Sequence, residues 1–220
     1  MYQWDFGALW SYRSLVWVGL GYTVGYTILC VVLGLIVGTA AGLGRLAQSR
    51  FTTWPLIFYI EVFRCTPLLV QLVWFYYALP VLLGISMSPA LAATLTLSLY
   101  GGAFYAEIIR AGITSIDAGQ WDAGRALGLG RLSLMRKIIL PQALKRMLPP
   151  LMNQSIIQLK NTSLVSVLAV PDLLYQGQVV TAATYRPLEV YTLVALVYFA
   201  VLFPLTLAVQ GLERRLAVHA

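Results

Sequence analysis

From Ser14 to Gly44 the chain carries no charged side chain. An α-helix rises about 1.5 Å per residue, so this stretch exceeds the roughly 30 Å hydrocarbon core of a bilayer. It predicts a spanning helix that is tilted or protrudes. A cleaved leader does not fit, because Arg13 is the only cation ahead of the run and the run is far too long for a leader's apolar segment. Trp4, Trp10 and Trp17 precede or open it, where interfacial aromatic anchors belong. Of the 220 residues, 60% are hydrophobic and 10% are charged, against about 25% charged in soluble domains. A soluble fold of this size would leave too much apolar surface in water. An ordinary cytosolic enzyme and a disordered chain are therefore excluded, and the lipid bilayer is the first expected partner. The net charge of +7 is read as marking cytoplasmic loops, with no nucleic-acid partner. Cys30 and Cys65 lie in apolar runs and are expected to be small core residues, with no disulfide framework and no metal set.

Four more apolar blocks follow, so residues 1–220 read as one all-α transmembrane domain. The second block begins at Trp54 and reaches about Leu79, with Pro80 and Gly84 breaking it. The third begins near Pro89 and ends around Arg110. No charge falls between Arg64 and Glu107, which makes the Pro80 to Pro89 stretch a short turn. The fourth runs from about Leu148 to Val170 and the fifth from about Val190 to Leu212. Five transmembrane helices put the termini on opposite sides. Orientation follows from Lys and Arg. One set of loops holds Arg45, Arg50, Arg110, Arg125, Arg131, Arg136, Lys137, Lys145, Arg146, Arg214 and Arg215; the other holds only Arg13 and Arg186. The basic side is cytoplasmic, the N-terminus outside and the C-terminus inside. Gly21 and Gly25, then Gly34, Gly38 and Gly42, recur four apart in the first helix, a spacing that lets helices approach closely in lipid.

The basic segment 111–147 is not low-complexity. Asp117 followed by Gln120 resembles a capping-box start. Gln120 to Leu127 reads as a short helix with Gly128 as its left-handed stop, and Leu129 to Leu140 as a second one ending before Pro141. Two ordered helices on the cytoplasmic face make a docking surface.

Asp122-Ala123-Gly124, three residues, Gly128, nine residues, then Ile138-Ile139-Leu140-Pro141 resemble the EAA loop of ABC importer permeases. Asp122 replaces Glu and Gly124 replaces the second Ala of that pattern. Phe63-Arg64-Cys65-Thr66-Pro67-Leu68-Leu69-Val70-Gln71 resembles a segment of the polar amino acid permeases, with Cys65 for Gly. Tyr105 to Gly112 and Leu159 to Leu164 resemble two more. The resemblance covers nearly the whole chain and implies the MetI-like fold of type I ABC importers, of the histidine, glutamine, arginine and glutamate/aspartate type. It implies a coupling helix around Asp122, with Trp121, Ala123, Gly124, Arg125 and Gly128, seated in a groove of a nucleotide-binding ATPase. It also implies rocking between inward- and outward-open states, a second permease copy or paralogue, a periplasmic amino-acid-binding protein and a location in the bacterial inner membrane. The chain has no G-x-x-x-x-G-K-[ST], so it needs an ATPase partner, and no cofactor is expected in it; ATP and Mg belong to that partner.

Ionisable residues at membrane depth are functional-site candidates. Lys160 lies 14 residues past Arg146 and Arg64 ten past Trp54, which places both near mid-depth inside the bundle. Gln154, Gln158 and Asn161 recur on one helical face, which lines a water-filled path or meets another helix. Lys160 either binds an amino acid carboxylate, with Asn161 and Ser163 as hydrogen-bonding neighbours, or is held by backbone carbonyls near Asn161. Arg64 has Glu61 one turn earlier, and Arg110 has Glu107, so both cations have i,i+3 partners. Residues 172–188 form the longest external segment and are a plausible seat for the binding protein. His219 is expected to have no role.

The main competitor is an ion-coupled secondary amino acid carrier. It needs an intramembrane acid, and only Glu61 and Glu107 are available, each beside an Arg. A membrane-embedded enzyme lacks any His/Asp/Glu cluster. Two mid-depth cations favour an acidic or neutral polar amino acid. The resembling family often has Asp where Asn161 stands, and its loss speaks against a cationic substrate.

Overall fold

The computed structural model describes residues 2–47 and 49–217; His219 lies outside them. A single 3-10 turn, Gly7–Tyr12, leads into α1, Arg13–Gly44. Then come α2 (Arg50–Cys65), α3 (Leu68–Val73), α4 (Leu79–Leu83), α5 (Pro89–Thr114), α6 (Ala118–Ala126), α7 (Arg131–Leu134), α8 (Leu140–Asn161), α9 (Leu173–Thr184) and α10 (Pro187–Ala217). No strand occurs among the described residues.

The core is the α1–α5 pair. A Cβ added to Gly38 would lie 2.8 Å from the Gly102 carbonyl, and one on Gly42 would lie 2.7 Å from the Ala106 carbonyl. Only glycine permits that approach. The expected small-residue seam therefore exists at Gly34, Gly38 and Gly42. Gly21 and Gly25 do not belong to it, since a Cβ on either meets nothing within 4 Å. Gly19 takes over at that end, with Leu173 and Gln176 pressed against it.

Two helices, Gly7–Gly44 and Pro187–Leu216, are by themselves long and apolar enough to cross a membrane. Two bent pairs would make two more. The 26-residue α5 is long enough, but its Gly, Ala, Ser and Thr make it less apolar. It is wrapped by α1, α2, α3 and α8, so it needs little lipid-facing surface.

The second apolar block is not one straight span. Its two halves, Arg50–Cys65 and Leu68–Leu83, meet at 109°. Thr66 and Pro67 are extended there, as the residue before a proline prefers. Gln71 holds the corner by donating to the Phe63 carbonyl at 2.9 Å and the Thr66 carbonyl at 3.0 Å. Cys65, expected in the core, is exposed at this corner.

Pro80 and Pro141 were expected to end helices, and neither does. Each is preceded by one wide π-turn, Trp74–Ala78 and Met135–Ile139. A proline lacks the N–H for the bond four residues back and its ring crowds that carbonyl. A wider turn just before it relieves both problems. The first helix therefore continues to Leu83 and stops at Gly84, φ +64°. The second continues from α7 through α8, so the second cytoplasmic helix merges with the fourth span. The segment between membrane helices is correspondingly shorter than 111–147. Past Asn161 the chain tightens into a 3-10 stretch, Thr162–Leu168, ending at Ala169 in a left-handed conformation. Residues 172–188 are not an irregular loop. They contain α9, capped by Asp172, whose carboxylate accepts from the Leu174 and Tyr175 amides. Leu173, Gln176, Gly177 and Val180 of α9 are buried against α1 and α10.

Candidate functional site

The end of the bundle that carries most of the cations also carries α6. The Asp117 carboxylate caps it, accepting from the Gly119 amide at 2.7 Å. The reciprocal half of a capping box is absent here: the Gln120 side chain instead accepts from Gln142 Nε2 at 3.2 Å, which ties α6 to α8. Leu127 closes the helix and Gly128 follows at φ +73°. The chain then turns back, the Leu129 amide donating to the Gly124 carbonyl at 3.1 Å.

Trp121 and Gly124 face inward. Trp121 packs on a cluster of Ile109, Ile113, Ile116, Leu134, Ile139 and Met147. Gly124 is buried, and a Cβ there would stand 2.2 Å from Leu134 Cδ1. Glycine at this motif position thus seats α6 closely on α7. Asp122, Ala123 and Arg125 point outward. Asp122 and Arg125 approach to 3.5 Å while remaining about three-quarters exposed, a pair that adds little stability. Leu127 is 76% exposed and Leu132 72%. Neither leucine was singled out from the sequence; for Leu127 the signal was an apolar residue beside the glycine stop. Arg146 donates to the Ser115 carbonyl, anchoring the α5 end to α8. The result is a short exposed helix fixed to the ends of two long ones.

The polar residues of the fourth span divide between two faces. Gln158 is fully buried and Gln154 nearly so. Gln158 Nε2 donates to the Leu97 carbonyl of α5 at 2.9 Å, and Gly101 leaves room for its amide. Such contacts average roughly 0.6 kcal/mol in membranes. These two glutamines therefore meet another helix and do not line an open path within one chain. Gln154 Nε2, Gln158 Oε1 and Asn161 Nδ2 have no hydrogen-bond partner among the described residues.

Lys160 does not lie inside the single-chain bundle. It is exposed, because two residues beyond Gln158 a helix has turned about 200°. Beside it Asn161 is half-buried near the Tyr100 phenol, its Nδ2 making no hydrogen bond among the described residues. Ser163 donates to the Lys160 carbonyl at 2.8 Å. Tyr100 packs on Phe104 with ring centroids 4.9 Å apart, and the Arg64 guanidinium sits 5.7 Å from the Phe104 ring centre. Arg64, Phe104, Tyr100, Asn161 and Lys160 thus follow one another along a single face. The two aromatics were not anticipated; their spacing of four on α5 was the available signal.

Arg64 also has its expected neighbour, Glu61, at 3.7 Å. Glu107 pairs with Arg110 at 2.9 Å and additionally with Arg45 at the end of α1. Both candidate proton-carrying acids therefore have arginine neighbours.

The family model described as "binding-protein-dependent transport system inner membrane component" matches residues 30–218. The chain is 39% identical over 217 residues to the glutamine transport system permease protein GlnP of Escherichia coli K12, covering 98% of this chain and 99% of that one. It is 36% identical over 212 residues to the arginine transport system permease protein ArtQ of Bacillus subtilis 168, covering 96% and 97%. Among solved structures, a crystal structure of an amino acid ABC transporter with histidines superposes with a TM-score of 0.92 at 36% identity, covering 97% of this chain and 100% of that one. The inward-facing MetNI methionine ABC transporter shares the fold, with a TM-score of 0.77 at 19% identity, covering 97% of this chain and 99% of that one.

Proposed function

The chain belongs to the family of binding-protein-dependent transport system inner membrane components, and from that premise we propose that it is the membrane subunit of an ATP-driven importer of polar amino acids. ATP hydrolysis resides in a separate ATPase, which docks on α6. The observation that carries the reading is α6 itself: an ordered helix with an outward face of Asp122, Ala123, Arg125 and Leu127, fixed to the ends of α5 and α8. A force applied there reaches the two helices that bear the Tyr100–Phe104 and Asn161–Lys160 groups.

The spanning units are α1, the bent α2–α4, α5, α8 with its 3-10 extension, and α10. The basic end is cytoplasmic and the chain sits in the bacterial inner membrane, N-terminus outside. Two permease chains enclose the path, because the face bearing Lys160, Asn161, Tyr100, Phe104 and Arg64 is open in one chain alone. Lys160 and Arg64 attract the substrate α-carboxylate. The aromatic pair and the Asn161 amide receive a polar, uncharged side chain, in keeping with the glutamine permease relative. A periplasmic binding protein delivers the substrate at the end opposite α6.

Reconstituted vesicles test the reading. Uptake of a polar amino acid should require the co-expressed ATPase, ATP and the binding protein. Uptake by this chain alone, driven by a proton or sodium gradient, would replace the proposal with an ion-coupled carrier.

A further inference from the structure

At the end of the bundle opposite α6, a groove of about 530 Å³ runs between the start of α1 and the first half of α10. Trp10, Trp17, Leu20, Val197 and Val201 form its walls, and Arg13 stands at its mouth. The groove opens outward from the bundle and its lining is apolar apart from that one cation. Among the described residues, two cationic side chains lie at this end, and the structure treats them differently. Arg186 is satisfied, 3.1 Å from the buried Glu189 carboxylate and 3.8 Å from Asp5. Arg13 has no carboxylate partner among the described residues. Its guanidinium donates to the Trp10 carbonyl at 3.0 Å and lies 5.2 Å from the Trp10 ring centre. That stacking holds the cation over the groove and leaves its remaining N–H donors free for an anion.

We propose that this groove binds one anionic phospholipid, with an acyl chain between α1 and α10 and the headgroup phosphate on Arg13. The apolar length beneath a single unpaired guanidinium matches a ligand that is apolar along its body and anionic at one end. Guanidinium and phosphate pair through parallel N–H···O bonds. The indoles of Trp10 and Trp17 belong at the headgroup level that this placement requires. The preceding segment supports the position: the Asp5 amide donates to Glu189 at 3.1 Å and Arg186 to the Gln3 carbonyl at 3.3 Å, so the N-terminal chain is tied down beside the groove. Residues 1–29 fall outside the stretch matched by the family model.

Lipid retention measures the proposal. The complete complex is placed in nanodiscs of phosphatidylglycerol or phosphatidylcholine, released into detergent and weighed by native mass spectrometry. The wild type should retain phosphatidylglycerol at least threefold better than phosphatidylcholine. Arg13→Gln, a change at an exposed side chain, should abolish that preference, Arg13→Lys should keep most of it, and Val197→Trp should remove retention of both lipids. Equal retention of the two lipids by the wild type, or unchanged preference in Arg13→Gln, overturns the proposal. So does a cross-link from Trp17→Cys to a second permease copy or to the binding protein, since the groove would then be a protein interface. ATP-dependent uptake at saturating substrate should persist in Arg13→Gln, which separates this test from that of the transport function.

Discussion

Gly128 and Lys160 carry the two residue-scale predictions, and they fail in different ways. A Cβ at Gly128 meets nothing within 4 Å, yet its φ is +73°. The constraint is therefore backbone strain alone, of order 1–2 kcal/mol for an ordinary residue and more for a β-branched one. Gly128→Val should lower both ATPase co-purification and uptake, while Gly128→Asn, which tolerates this conformation, should keep both near wild type. Normal values for the valine variant would remove the link between the helix stop and coupling. Lys160 is exposed and makes no ion pair among the described residues. Lys160→Met should therefore leave melting temperature and assembly unchanged and raise the substrate concentration needed for half-maximal uptake severalfold. An unchanged concentration dependence in a stably assembled complex would shift attention to Arg64 and Asn161.

Among the elements, α1 offers an internal control. Gly38 presses on α5 backbone atoms that cannot move aside, and Gly25 faces open space. Gly38→Leu should destabilise the chain by several times the effect of Gly25→Leu, since overpacking of a tight interface costs about 1–3 kcal/mol or more. Thermal melting of the two variants in one detergent measures the ratio. Comparable melting temperatures would mean the α1–α5 seam is looser than the geometry here. The π-turns are the other element-scale lesson. Proline marked Leu79-Pro80 and Leu140-Pro141 as helix ends in the sequence, but widening one turn upstream lets other amides serve the carbonyls that proline cannot bond. No pattern of apolar residues carries that information, because the remedy lies in the backbone.

For the whole molecule, the lopsided distribution of Lys and Arg predicts an orientation that labelling can check. Tyr185, in the turn between α9 and α10, is 88% exposed. A cysteine placed there, in a chain whose native Cys65 is replaced by serine, should react with a membrane-impermeant maleimide in intact spheroplasts. A reporter fused after Arg215 should behave as cytoplasmic. Labelling at position 185 only after membrane rupture would invert the topology and move the binding-protein seat to the other end. Position 185 is preferred to the preceding helix, where Gln176, Gly177 and Val180 are buried.

The sequence by itself determined that the chain is a bundle of long apolar helices, that Gly34, Gly38 and Gly42 form a contact, and that Gly128 stops a helix. Each depends on local chain properties: runs without charge, a spacing of four, a residue without Cβ. Periodicity also placed Gln154 and Gln158 on one face correctly. It could not say what that face meets. Only the packing of α5 against α8 decided that the glutamines are buried and that Lys160, turned away from them, joins Tyr100, Phe104 and Arg64 on the open side. The corner at Thr66–Pro67 had the same origin, since a straight apolar run and a run folded back at 109° have the same composition. Partner and direction are set by contacts between residues far apart in sequence, such as Gln158 with Leu97 and Gly38 with Gly102, and such contacts exist only once the chain has folded.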